Sequence, residues 1–188
     1  MNLRVSSNRS IRLAGVAVVS ISAFLLVFGA FSSGCGNGSG ESSFEGYKKQ
    51  WSDIMNPFET RTETDEQKAG EIIKSNDIAA LIRLYNQRIL NIEEVTKKII
   101  ALRPPKDLWK AHSLTLSYLL DLRDQVTYQN NLNDALITGK PVKDLQSISG
   151  QAVLKTRIVG AELLVEIQRV GLQLQSGVQQ PPQQSATQ

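Results

Sequence analysis

From Ile78 to Leu102 the apolar residues recur mostly in steps of three and four, and that spacing commits this part of the chain to helix. The run is Ile78, Leu81, Ile82, Tyr85, Ile89, Ile92, Val95, Ile99 and Leu102. Asp77 stands where an N-cap belongs, because its carboxylate can accept from the freed amides of the first turn. Pro104-Pro105 stops the run, since a proline disfavours helical geometry in the residue before it. Residues 70–74 read as a backward extension of the same helix, with Ser75-Asn76-Asp77 as a break.

Two further runs follow. Leu108, His112, Thr115, Leu119, Leu122, Val126, Leu132 and Leu136 form a weaker stripe, starting at Pro105 and ending at Thr138-Gly139-Lys140-Pro141. Leu145, Ile148, Ala152, Thr156, Val159, Leu163, Ile167, Val170 and Leu174 form the third. A shorter piece, Phe44, Tyr47, Trp51, Ile54 and Met55, also has helical spacing and is expected to end at Pro57. Each main segment is roughly 30 residues, so roughly 45 Å long, and short connections force antiparallel neighbours. The expected fold is all-α: an antiparallel bundle of three long helices plus a short N-terminal helix, over residues 44–176. A long parallel coiled coil is disfavoured by Pro105 and Gly139, and by Leu114, Leu116 and Leu120, which widen the stripe beyond a two-stranded seam. The chain has no internal repeat at a fixed period.

The first 34 residues have a different character. Arg4, Arg9 and Arg12 precede an apolar stretch from Leu13 to Phe31, and small residues follow at Ser32, Ser33 and Gly34. Basic, apolar, small is the order of a secretory signal. Cys35 is the single cysteine, and Ser33-Gly34-Cys35 resembles the box at which bacterial lipoproteins are cleaved and acylated. The resemblance departs at Ser32, where the family usually has Leu. It implies cleavage before Cys35 and lipidation of Cys35. The apolar stretch is also almost long enough to span a bilayer, for which about 20 residues are needed, so an uncleaved N-terminal membrane helix is the competing reading. Both place the remainder on the extracytoplasmic side of a cell membrane, in the periplasm or at the cell surface. With one cysteine, no intramolecular disulfide can form.

The net charge of +3 belongs to that signal. Three of the 21 Lys and Arg precede Cys35 and none of the 18 Asp and Glu does, which leaves eighteen of each from Cys35 onward. A balanced chain has no long-range field to steer a polyanion, so nucleic acid is not expected as a partner. Residues 35–43 are Gly/Ser-rich and read as a flexible tether with a reach of roughly 15 Å. Residues 177–188 are rich in Gln and Pro, with no large apolar group, and read as a disordered tail.

The residue inventory argues against most catalytic and metal chemistry. His112 is the single histidine, which rules out paired Glu-x-x-His motifs and multi-histidine zinc sites within one chain. It is expected to be a partly buried, hydrogen-bonded residue one turn from Leu108. Glu93/Glu94, Asp121/Asp124 and Glu162/Glu166 are carboxylate pairs, but Arg123, Lys155 and Arg169 stand beside the last two, so they read as solvated surface charges. No phosphate-binding loop, dinucleotide fingerprint or calcium loop is present in the sequence. Catalytic residues, metal and cofactor are all expected to be absent. The aromatic residues Tyr47, Trp51 and Trp109 are the expected contacts for a partner or ligand, because Trp and Tyr are over-used at interfaces. A segment such as Phe44 to Met55, with Lys48 and Lys49, has an alternative use lying on a membrane surface.

Leu102-Arg103-Pro104-Pro105-Lys106-Asp107-Leu108-Trp109-Lys110-Ala111-His112 resembles a pattern in small bacterial lipoproteins with an uncharacterised helical domain. That pattern is a helix, then Leu-x-x-Pro, then a His-containing helix ending near Gly-Lys, and the likeness spans about residues 75–140. It implies a helical extracytoplasmic domain and assigns no activity. The functional expectation is a membrane-anchored, non-enzymatic interaction or assembly factor with a protein partner in the cell envelope. The alternative is a binding module for a small apolar or envelope-derived ligand held between helices, with Thr115, Gln129 and Asn133 lining it.

Overall fold

The computed structural model describes residues 43–172. Residues 1–34, expected to be a signal, Cys35, and the Gln/Pro-rich tail fall outside the described residues. Among those described, four helices follow one another, α1 (Phe44–Ser75), α2 (Ile78–Ala101), α3 (Trp109–Thr138) and α4 (Lys143–Val170), with a 3₁₀ turn at Lys106–Leu108 and no strand. The all-α antiparallel bundle expected from the spacing is what the chain forms.

Pro57 does not end the first helix, contrary to expectation. α1 runs through it for 32 residues, from a Ser43 cap that accepts from the Gly46 amide at 3.0 Å. The proline removes the donor for the Asp53 carbonyl, at a cost of about 3 kcal/mol in a helix interior. Asp53 and Pro57 face solvent, whereas Trp51, Met55 and Phe58 around them are buried. Burying each such side chain contributes about 1.5–3 kcal/mol, enough together to hold the helix through the proline. Residues 70–74 therefore belong to α1 and not to α2.

The break itself lies where the sequence places it. Asn76 takes a left-handed conformation (φ 56°) and ends α1, while the Asp77 carboxylate accepts from the Ala80 amide at 2.8 Å and starts α2. Pro104-Pro105 ends α2, and the 3₁₀ turn delays the start of α3 to Trp109. Gly139 (φ 69°) closes α3 with the Lys140 amide bonded to the Ala135 carbonyl at 2.9 Å.

Consecutive helices pack on one another, and α3 touches both α2 and α4. It also reaches α1 through Tyr47–His112 and Trp51–Thr115. A helix with neighbours on several sides buries residues around much of its circumference, including His112, Leu119, Asp121, Leu132 and Ala135. That is why its apolar stripe is weak in the sequence. Gly160 of α4 lies against the Tyr118 ring and lets the two helices approach there. Among the described residues, no helix is long and apolar enough to cross a membrane.

Candidate functional site

Of the three aromatic residues singled out by the sequence, two are core residues. Tyr47 and Trp51 are both 0% exposed. The Tyr47 hydroxyl and His112 Nδ1 share a hydrogen bond at 2.8 Å, and Trp51 Nε1–H donates to Thr115 Oγ1 at 3.1 Å. Thr115 in turn donates to the Ala111 carbonyl at 2.8 Å, so each buried polar atom in this chain of bonds has a partner. Burial raises the pKa of Tyr47 and lowers that of His112, which keeps both neutral near pH 7. This is a neutral structural tie between α1 and α3; His112 is hydrogen-bonded as expected, and buried where partial burial was expected. Because Tyr47, Trp51 and Met55 point inward, α1 does not offer that face to a membrane. Trp109, by contrast, is 61% exposed.

A second polar group occupies the middle of the bundle. Glu59, Glu63 and Glu66 lie on one side of α1 at helical spacing, a row hidden from the sequence reading because α1 was expected to stop at Pro57. Glu66 Oε1 lies 3.9 Å from Arg88 Nη2 of α2, and the Arg88 guanidinium sits 6.0 Å over the Tyr85 ring. Burial, then the charges of Glu63 and Glu66, push the Glu59 pKa up to about 7. Burial also raises Tyr118, with Glu59 and Glu66 adding to the effect. Next to this group Asn91 Nδ2 is buried without a protein partner, beside a cavity of about 10 Å³ lined in part by Asp65 and Arg88. That volume suits one water molecule.

The carboxylates read as solvated charges are not all solvated. Asp121 and Glu166 are buried, each under cations from the neighbouring helix. Lys155 Nζ reaches Asp121 at 2.6 Å, and Lys110 Nζ reaches Glu166 at 3.3 Å, with Arg169 Nε donating to Glu166 at 3.0 Å. The aliphatic stems of Lys and Arg cover such sites while their heads stay in water. These pairs clamp α3 to α4. The hydrogen bonds of Arg169 and Lys110 hold the Glu166 pKa below the usual carboxylate range, so the carboxyl is an anchored anion and not a proton donor.

No group of His, Cys, Asp and Glu among the described residues is arranged to hold a metal ion. A second cavity, lined by Leu81, Asn133 and Leu136 among others, measures about 30 Å³. Small-molecule sites occupy roughly 300–1,000 Å³, so neither cavity has room for an apolar ligand between the helices. Thr115 is fully buried and bonded on both sides.

An exposed apolar row lies on the outside of α4. Leu154, Ile158 and Val165 are 59%, 53% and 68% exposed, and Ala161 between them is exposed too. Their spacing of four, three and four places them in one row, on the side opposite the buried Thr156, Leu163, Ile167 and Val170. The sequence holds this row in plain view, overlapping the inward run with which it shares the helix. Comparison of the chain with protein-family models, with curated proteins and with solved structures gave no match.

Proposed function

We propose that this chain is a lipid-anchored protein of the extracytoplasmic membrane face that acts as a non-enzymatic interaction or assembly factor. The observation that carries the reading is the outward row Leu154, Ile158, Ala161 and Val165 on α4. An apolar row at four-three-four spacing is the geometry of a helix–helix seam, and contiguous exposed apolar surface marks an interaction site. The occupant is a helix of another envelope protein carrying a matching apolar seam. Anchorage through Cys35 would hold the bundle beside such a partner and raise its effective concentration.

The test places a photo-cross-linking residue at Ala161 and analyses adducts formed in native membranes. Adducts should map to an apolar helical seam of a different protein. Val165→Glu should lower their yield at least about tenfold, because burying an unpaired carboxylate costs more than 1.4 kcal/mol. Adducts with a second copy of this chain, or no adduct, would overturn the reading.

A further inference from the structure

The geometry points to one end of the bundle as a docking face for an anionic lipid surface. This inference rests on the membrane attachment proposed above and adds which part of the fold meets the bilayer. The end in question gathers the start of α1, the end of α2, the turn into α3 and the end of α4. Tyr47 bonds to His112 there, and Arg169 Nη2 donates to the Asp107 carbonyl at 3.5 Å. It is also the end at which Ser43 begins the described chain, eight residues after Cys35. Eight residues span at most about 28 Å, so an anchor at Cys35 keeps this end, and no other, close to the membrane.

Two independent properties of the end suit that position. The first is apolar and aromatic exposure: Trp109 is 61% exposed, Ile100 62% and Phe44 37%. Tryptophan favours the boundary between headgroups and acyl chains, where its ring is apolar and its N–H stays wet. The second is charge. Residues 44–53, 94–110 and 166–172 together carry eight cations against five acids, with Asp53 and Glu94 paired to Lys49 and Lys98. At the far end, residues 71–83 and 134–144 carry four of each. The chain from Cys35 onward is neutral as a whole, so its positive excess is concentrated at the end nearest the tether. Lys97, Arg103 and Lys106 are exposed there. In the docked state those cations meet lipid phosphates while Trp109 and Ile100 enter the interface, which stands the bundle upright and leaves the outer row of α4 free for its partner.

The experiment uses the full chain reconstituted into vesicles of phosphatidylcholine alone or with added phosphatidylglycerol, the acyl chains brominated near the headgroup. Flotation reports attachment; quenching of tryptophan emission reports docking, since Trp51 is buried in the bundle. With phosphatidylglycerol, emission should be quenched. The quenching should disappear in Trp109→Phe, weaken in Lys97→Gln/Lys106→Gln, and fall at about 1 M salt, where charges are screened within about 3 Å. Flotation without quenching, or equal quenching on both lipids, would overturn the docking face and leave attachment standing. Failure to float on either lipid would overturn the attachment itself, and the docking face with it.

Discussion

Trp51→Ala is expected to destabilise the bundle by about 3–5 kcal/mol, the usual cost of emptying a buried aromatic site. Trp51 is 0% exposed and joins α1 to α3 through its bond to Thr115. A domain of this size is stable by only about 5–15 kcal/mol, so the loss is a large share of the total. Trp51→Phe should cost far less. It keeps most of the volume and removes one neutral hydrogen bond, worth about 1 kcal/mol, while Thr115 keeps its bond to the Ala111 carbonyl. Urea unfolding followed by circular dichroism measures both. An alanine variant within 1 kcal/mol of the parent would mean that the α1–α3 contact is not where the stability of this end resides.

Glu59→Gln is expected to act in the opposite direction and only at neutral to alkaline pH. The Glu59 carboxyl titrates near 7 in the fold against a reference value of 4.5. Between those values the folded state binds more protons than the unfolded one, so stability falls as pH rises across that window. Above about pH 7 the ionised carboxylate costs the fold about 3 kcal/mol, and below about pH 4.5 it costs nothing. Glu66 is raised by burial and adds a slope of the same sign. His112, lowered by burial, contributes the opposite slope below its ordinary 6.5, because acid must charge it. Comparing the variant with the parent cancels the His112 contribution. The Gln variant should be more stable by about 3 kcal/mol at about pH 8 and equal at about pH 4. Equal stability at both pH values would show that Glu59 is solvated.

Much of the fold is legible in the residues. Asp77 and Gly139 act at the positions and by the means their chemistry dictates, and Pro104-Pro105 ends α2. The α2 stripe at Leu81, Tyr85, Ile92, Val95 and Ile99 is buried as its spacing requires. Pro57 misleads because a local rule was outweighed by the burial of Trp51, Met55 and Phe58 around it, and that burial is a tertiary fact. The same error hid Glu59, Glu63 and Glu66, which form a row only if α1 continues. Asp121 and Glu166 read as surface charges because nothing in the spacing shows that Lys155 and Lys110 reach across from the neighbouring helix to cover them. Tyr47 and Trp51 could equally serve a core or an interface by composition, and packing decided for the core. The outer row on α4 is legible in the spacing, where it shares one helix with the longer inward register.

The proposed attachment through Cys35 underlies the docking face and the envelope setting of the partner seam, and intact mass spectrometry of protein extracted from its own membranes tests it most directly. The parent chain should begin at Cys35 and carry the added mass of acyl chains. Cys35→Ser should retain residues 1–34 and carry none. A parent chain that keeps its first 34 residues and lacks acyl mass would contradict lipid attachment and leave the uncleaved N-terminal helix as the anchor.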